Sequence, residues 1–101
     1  MKKIHVFNPM AGKDKKLPEN LDGEIYITKS VGDAERFAYE TSKSEDVHFI
    51  VHGGDGTINE VVNGIIKAEA GERCLFSVVP KGTGNDFVKS FKKDAGITYV
   101  D

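Results

Sequence analysis

The sequence lacks the features that mark secreted, membrane-spanning and nucleic-acid-binding proteins. It has a single cysteine, Cys74, so no disulfide can form within the chain. Because Cys74 precedes the apolar pair Leu75-Phe76, we predict a small buried side chain. The N-terminal Met-Lys-Lys is not followed by the apolar segment that export requires, and no apolar run is long enough to span a bilayer. A formal net charge of −2 provides no general attraction to nucleic acid, so these absences favour a cytoplasmic protein with no nucleic-acid partner.

The composition is that of an ordinary globular domain. Hydrophobic residues make up 39% and charged residues 30% of the chain, which is far from the polar, charge-rich composition of disordered proteins. A length of 101 residues is enough for one compact domain to bury a core without metals or disulfides. We therefore expect one folded domain in which any anion-binding site is local.

Short apolar runs alternate with helical patterns along the chain. β-Branched and aromatic residues predict strands at residues 3–8, 24–28, 47–51 and 75–79. Apolar residues on one helical face predict helices at residues 32–44, from residue 58 to near residue 71, and from residues 86–91 onward. Residues 10–23 are predicted to form a loop. The alternation predicts an α/β fold of three layers, in which a mostly parallel sheet has helices on both faces.

A glycine-rich turn joins the third predicted strand to the following helix, with the sequence Gly53-Gly54-Asp55-Gly56-Thr57. Glycines allow positive φ angles and let backbone N–H groups approach a ligand closely, and the helix N-terminus adds partial positive charge. Such a turn is suited to bind phosphate. The alternative is a tight turn without a ligand, in which Thr57 caps the helix.

Asp55 lies inside this turn and favours the binding hypothesis. A carboxylate beside a phosphate is repelled unless a cation lies between them or the carboxylate handles a proton. Phosphoryl transfer needs acidic groups for both of these tasks. Asp55 is therefore a candidate for cation binding or proton transfer.

Two further turns follow predicted strands. Residues 80–87 (PKGTGNDF) come after the fourth strand, and there Thr83 and Asn85 offer a hydroxyl and an amide to a phosphate or ribose. Asp86 is open to two interpretations, as the N-cap of the last helix or as a site residue. Residues 8–13 (NPMAGK) come after the first strand. Because carboxyl ends of parallel strands meet at one edge of a sheet, where ligands bind, the three turns predict one shared site.

The motifs of these three turns resemble those of a known family. Residues 8–12 (NPMAG), 53–64 (GGDGTINEVVNG) and 80–87 (PKGTGNDF) are similar, in sequence and in order, to the catalytic domain of bacterial diacylglycerol kinases and related lipid kinases. The resemblance extends over nearly the whole chain. NAD kinases, sphingosine and ceramide kinases and phosphofructokinases carry similar GGDG turns, whereas the GTGNDF turn indicates lipid kinases.

The resemblance implies a Mg²⁺-dependent transfer of the γ-phosphoryl group of ATP to the hydroxyl of a lipid such as diacylglycerol. It also implies which residues contact ATP, namely Asn8, Thr28, Gly53, Gly54, Asp55, Gly56, Thr57, Ile58, Asn59, Glu60, Gly82, Thr83 and Asn85. Asp55 is implied as the catalytic residue and as a Mg²⁺ ligand. Glu60 is expected to support the glycine-rich turn from the first turn of the helix.

The sequence departs from the family pattern in two places. Family members have a full helix between their first and second strands, where residues 10–23 are short and interrupted by proline. Members also continue into a β-rich domain that carries the lipid pocket and an acidic catalytic residue, and this chain ends at Asp101. We therefore expect residues 1–101 to be a nucleotide-binding N-terminal domain without its C-terminal lipid-binding domain, inactive as a kinase on its own.

Other functions and partners stay open at this point. An NAD kinase-like or sphingosine kinase-like enzyme domain and a non-catalytic nucleotide-binding module fit the same turns. Peripheral contact with the inner face of the membrane, through the lysines of residues 89–93, and assembly into a homo-oligomer are also open. His5, His48 and His52 have no metal-ligand spacing and are predicted to be packed or hydrogen-bonded. For His52, which adjoins the glycine-rich turn, contact with a phosphate is a second interpretation.

Overall fold

The computed structural model describes residues 1–9, 21–79 and 96–100, and within them the chain forms five strands and two α-helices. The strands are β1 (Lys2–Phe7), β2 (Glu24–Ile27), β3 (Val47–His52), β4 (Leu75–Val79) and β5 (Thr98–Tyr99). The helices are α1 (Asp33–Ser44) and α2 (Asp55–Lys67), and a 3-10 turn at Gly71–Arg73 precedes β4. The strands form one sheet in the order β2-β1-β3-β4-β5, and every neighbouring pair is parallel.

This architecture confirms the predicted α/β fold with a parallel sheet. The four predicted strands agree with β1 to β4 within one residue at each end, and α1 agrees equally well with its predicted helix. β5 was not predicted, because a strand of two residues leaves no periodic pattern; a hydrogen bond from the N–H of Val100 to the carbonyl of Phe76 (2.8 Å) continues its contact with β4. The predictions for residues 10–20 and 80–91 lie outside the described residues.

Both described helices lie on the same face of the sheet. α1 joins β2 to β3 and α2 joins β3 to β4, so both connections cross the sheet in the same direction, and right-handed crossovers place both helices on one side. The core lies beneath them and includes Ile4, Val6, Ala34, Ala38, Val47, Phe49, Val51, Ile58, Val61, Val62, Ile65, Phe76 and Val78. The described helices thus cover one face of the sheet, whereas the sequence predicted helices on both faces; the predicted helix from residue 86 onward lies outside the described residues. No helix within those ranges combines the length and apolar character needed to cross a membrane.

α1 and α2 pack closely because a glycine lies at their contact. A Cβ built on Gly64 of α2 would lie 2.8 Å from the Cβ of Ala38 and 2.9 Å from the backbone nitrogen of Tyr39, and closer still to the carbonyl oxygen of Glu35. An ion pair between Lys67 and Glu35 also spans the two helices, but exposed pairs of this kind contribute little to stability. The close approach at Gly64 therefore sets the distance between the helices.

The first residue of α1, Asp33, is a buried carboxylate with four hydrogen bonds. Its oxygens accept from the hydroxyl of Tyr26 (2.7 Å), the backbone N–H of Lys29 (2.9 Å), and Nε and Nη2 of Arg36 (3.1 and 2.7 Å). The bond from Tyr26, helped by Arg36 and the Lys29 N–H, lowers the pKa of the Asp33 carboxyl to about 2 against the opposing effect of burial. This network attaches the start of α1 to β2.

Gly64→Ala is expected to destabilise the protein by about 1–3 kcal/mol, because the added methyl group has to push α1 away from α2. Helix propensity alone predicts the opposite sign, a gain of about 1 kcal/mol. Gly56→Ala is the control, since its Cβ would meet no described atom within 4 Å and stability should be unchanged or slightly raised. Urea unfolding followed by circular dichroism measures both variants, and equal stability of the two would contradict the packing argument.

Asp33→Asn is expected to lower the free energy of unfolding at neutral pH by about 2 kcal/mol, because the carboxyl pKa falls from 3.8 to about 2 on folding. The contribution is fully present above the unfolded pKa of 3.8 and is lost as the pH falls through about 2, so wild type and variant should converge in acid. Asp46→Asn is the control, because Asp46 is exposed and pairs with the exposed Arg73. Denaturant titrations across the acidic range measure the difference, and a gap that does not change with pH would argue against this assignment.

Candidate functional site

Three strands of the sheet end level with one another, which places the segments that follow them side by side. Phe7 at the end of β1 pairs with Ile27 at the end of β2 and with His52 at the end of β3. The residues that come next are Asn8, Thr28 and Gly53. The structure therefore brings these three predicted site residues to one edge, the carboxyl edge of the parallel sheet, where α/β folds bind ligands.

Hydrogen bonds connect the ends of β1 and β2 and link β1 to the start of α2. The N–H of Thr28 donates to the carbonyl oxygen of Phe7 at 2.8 Å, and Thr28 is buried. The Nδ2 amide of Asn8 donates to Oγ1 of Thr57 at 3.2 Å, and Thr57 is also buried. The side chains of Asn8 and Thr57 thus join β1 to the first turn of α2.

α2 begins at Asp55 with Gly54 as its N-cap, three residues before the predicted start at residue 58. The alternative in which Thr57 caps the helix is therefore wrong, because Thr57 lies inside the first turn and its hydroxyl contacts Asn8. Gly54 has no side chain with which to cap α2, and no other side chain among the described residues does so. The first N–H groups of a helix have no acceptor within it, so these groups are donors for a ligand at the N-terminus of α2.

The glycines of this turn provide space and not unusual backbone angles. Gly54 has φ −95° and ψ −171°, and neither Gly53 nor Gly56 has a positive φ, so this turn does not use the positive φ that glycine allows. A Cβ on Gly54 or Gly56 would meet no described atom within 4 Å, and both residues are exposed. Open space beside the backbone is what phosphate oxygens need in order to approach the N–H groups.

Glu60 of α2 contacts the start of α1. Its Oε1 accepts hydrogen bonds from the N–H of Gly32 (3.1 Å) and of Ala34 (3.2 Å). The sequence predicted that Glu60 supports the glycine-rich turn, whereas its hydrogen bonds support the loop between β2 and α1. The two helix N-termini therefore differ: that of α1 is covered by a carboxylate, and that of α2 is open within the described residues.

The ring of His52 is held by neighbours on the sheet face opposite the helices. Nε2 of His52 lies 2.8 Å from Nδ1 of His5, and Nε2 of His5 lies 2.8 Å from the carbonyl oxygen of Asp22. Because a carbonyl can only accept, Nε2 of His5 carries a proton and donates to the carbonyl oxygen of Asp22. The His52 ring also stacks on Phe7 with centroids 4.1 Å apart. Burial, with the adjacent His5, lowers the pKa of His52 to about 4, so this ring is neutral at pH 7 and adds no positive charge near the glycine-rich turn.

The remaining histidine and the cysteine are structural, as predicted. Nε2 of His48 lies 2.7 Å from Oγ of Ser77, whose hydroxyl donates to the carbonyl oxygen of Val100 at 2.7 Å. Burial is the main cause that lowers the pKa of His48. Cys74 is buried with a free thiol, and burial raises its pKa, so the thiol stays protonated at neutral pH.

Asp55 is exposed at the open N-terminus of α2. Within the described parts of the chain, no group of three or more histidine, cysteine or acidic residues is arranged to hold a metal ion by itself. Mg²⁺ is commonly bound by one or two carboxylates together with substrate phosphates and water, and does not need such a group. A single exposed carboxylate beside a turn suited to phosphate therefore fits Mg²⁺ that arrives with a nucleotide.

The predicted site residues fall into three sets. Asn8, Thr28 and residues 53–57 lie together at the carboxyl edge of the sheet. Ile58 lies in the core, and its N–H donates to the carbonyl oxygen of Gly54 at 3.1 Å, so it stabilises the turn from within the protein. Asn59 and Glu60 follow it, half-buried, in α2. Gly82, Thr83 and Asn85 lie outside the described residues.

The sequence did not point to the Asp33 network that holds the loop between β2 and α1. The available signal was an aspartate directly after Gly32 at the start of a helical pattern, with Arg36 three residues later. Such a pair is common on helix surfaces. Only the fold adds Tyr26 and Lys29 to it and buries the carboxylate.

This chain is similar to diacylglycerol kinases in both sequence and fold. The diacylglycerol kinase of Staphylococcus epidermidis is 41% identical over an alignment of 93 residues that covers 81% of this chain and 29% of that protein. The enzyme of Staphylococcus carnosus is 40% identical, with 81% of this chain and 30% of that protein covered. A crystal structure of a diacylglycerol kinase from Bacillus anthracis superimposes with a TM-score of 0.66 at 34% identity, covering 88% of this chain and 33% of that one.

The chain thus spans about a third or less of the length of the relatives that it matches. Within that span, the agreement includes both the sequence and the parallel sheet with its helices. The family profile of the diacylglycerol kinase catalytic domain matches residues 4–99, which is nearly all of the chain. The chain therefore belongs to the diacylglycerol kinase catalytic domain family.

Proposed function

We propose that this chain is the ATP-binding part of a lipid kinase that transfers the γ-phosphoryl group of ATP to the hydroxyl of a diacylglycerol-type lipid. One observation carries the proposal: the uncapped N-terminus of α2, with open space at Gly54 and Gly56, lies beside the exposed carboxylate of Asp55 at the carboxyl edge of the sheet. Membership of the family and the names of its relatives support the choice of reaction.

The phosphates of ATP would be held by backbone N–H groups at the start of α2. A helix N-terminus carries about half a positive charge, and its N–H groups point at a bound anion. This site needs no lysine, which agrees with a chain whose formal net charge is −2. Asn8 would act indirectly, since its amide holds Thr57 and with it the first turn of the helix.

Asp55 would hold Mg²⁺, which would supply positive charge to the phosphates and to the charge that develops during transfer. Without a cation, this carboxylate would repel the phosphates that the α2 N-terminus attracts. Asp55 would thereby make nucleotide binding depend on the metal.

Phosphoryl transfer would also require groups outside the matched segment. The chain spans 29% of the S. epidermidis enzyme, and the lipid contacts and remaining catalytic groups are proposed to come from a second, β-rich domain. Phosphoryl transfer depends on positioning and on charge stabilisation from several sides of the nucleotide. The 101 residues by themselves are therefore expected to bind ATP while transferring its phosphoryl group slowly or not at all.

Asp55→Asn is expected to weaken binding of Mg²⁺-ATP by about tenfold or more, because the carboxylate that would hold the metal is lost. In EDTA the order should reverse, with the variant binding ATP as well as wild type or better, since the repelling charge is gone. Glu69→Gln is the control, a change of the same charge at an exposed position just after α2. Isothermal titration calorimetry with and without Mg²⁺ measures all three proteins; an unchanged metal dependence in Asp55→Asn would remove Asp55 from the metal site.

A chimera tests the reaction and the acceptor. In it, this chain replaces the matching segment of the S. epidermidis diacylglycerol kinase. The chimera is expected to phosphorylate diacylglycerol in mixed micelles with Mg²⁺-ATP, and the same chimera with Asp55→Asn should be slower by about a hundredfold or more. Thin-layer separation of radiolabelled products measures the rates. A folded chimera that binds Mg²⁺-ATP and phosphorylates no lipid alcohol, or that prefers NAD as acceptor, would overturn the lipid kinase assignment.

A further inference from the structure

We propose that Glu60 is a positioning residue, which holds the loop between β2 and α1 against α2. Its consequence for ATP rests on the proposed function, because the loop contains Thr28 at the edge where ATP would bind. The observation behind it is that one carboxylate oxygen, Oε1, accepts hydrogen bonds from the N–H groups of both Gly32 and Ala34.

The loop is held at both ends by carboxylates. Near its beginning, the N–H of Lys29 donates to the buried carboxylate of Asp33 at 2.9 Å. At its end, Glu60 accepts a hydrogen bond from the N–H of Gly32. Gly32 has a φ of 88°, which a residue with a side chain rarely adopts. Between these points lies Val31, whose side chain is 97% exposed, so burial of the loop does not fix its position. The hydrogen bonds to Asp33 and Glu60 therefore determine where this loop lies.

Glu60 and the glycine-rich turn are parts of the same helix. Glu60 lies five positions after Asp55 in α2, which is little more than one helical turn. A displacement of Glu60 therefore also displaces the start of the helix. The opposite end of the loop begins at Thr28, whose N–H donates to Phe7 of β1. Removing Glu60 would release the loop from α2 while leaving its attachment to β1 in place.

The same contact distinguishes the two helix N-termini at this edge of the sheet. The partial positive charge at the start of α1 faces the carboxylates of Glu60 and Asp33, which would repel a phosphate there. The start of α2 has no such cover within the described residues. Glu60 therefore directs an anionic ligand to α2 in addition to fixing the loop.

The test combines Glu60→Ala, Glu60→Gln and the control Glu69→Gln in the 101-residue chain. In Glu60→Ala, amide hydrogen exchange at Gly32 and Ala34 should rise by about tenfold, the effect of losing one hydrogen bond, and the Kd for Mg²⁺-ATP should rise by a similar factor. Glu60→Gln keeps a carbonyl oxygen that accepts the same bonds, so both quantities should return to within about threefold of wild type. Glu69→Gln should change neither. NMR-detected exchange without nucleotide and calorimetry with Mg²⁺-ATP supply the two measurements.

Three outcomes would overturn the proposal. Weaker ATP binding in Glu60→Ala with unchanged exchange would mean that Glu60 contacts the nucleotide directly. Faster exchange with unchanged ATP affinity would mean that the position of the loop does not affect ATP binding. Unchanged exchange and unchanged affinity would mean that the hydrogen bonds of Glu60 do not hold the loop. If Glu60→Ala does not fold, Glu60→Asp, which is one methylene shorter, replaces it with the same expectations. Failure of the proposed function is a separate result, since it would appear as absent ATP binding in wild type.

Discussion

The candidate site depends on one constraint, which is that the parallel strands β1, β2 and β3 all end at the same level of the sheet. Because Phe7 is paired with both Ile27 and His52, the chain leaves the sheet at the same height after β1, β2 and β3. Each departing segment then brings a different group to the edge: the amide of Asn8, the loop that starts at Thr28, and the turn before α2. A register shift of one residue in any of these strands would separate these groups and would also turn core side chains toward the opposite face.

At this edge of the sheet, carboxylates accept hydrogen bonds from some of the backbone N–H groups and leave others available to an anion. Asp33 accepts a hydrogen bond from an N–H group before α1, and Glu60 accepts two from N–H groups at its start. Arg36 pairs with Asp33. The start of α2 keeps its N–H groups, with Asp55 exposed beside them. In a chain with a slightly negative net charge, attraction of an anion has to be local, and among the described residues this arrangement leaves the N-terminus of α2 open to an anion.

Glycine serves three different physical purposes in this small fold, and only the structure separates them. Gly32 adopts a positive φ before α1, Gly64 allows two helix backbones to approach, and Gly54 and Gly56 leave space at the start of α2. Glycine also permits positive φ in the glycine-rich turn, but none of the glycines there adopts it. Which property of glycine is used depends on what surrounds the residue, and that information is not local.

The sequence by itself determined the parallel α/β architecture, the limits of β1 to β4 and α1, and the edge of the sheet at which Asn8, Thr28 and Gly53 come together, because each follows from the local periodicity of apolar residues and from turn composition. It also identified the family from the motifs around Asp55. The tertiary structure decided the start of α2 at Asp55, the two-residue strand β5, the partners of His52 and the target of Glu60. Each of these depends on contacts between residues far apart in the chain, such as Glu60 with Gly32 or His5 with His52, and a pattern read along one segment contains no information about which distant group will meet it.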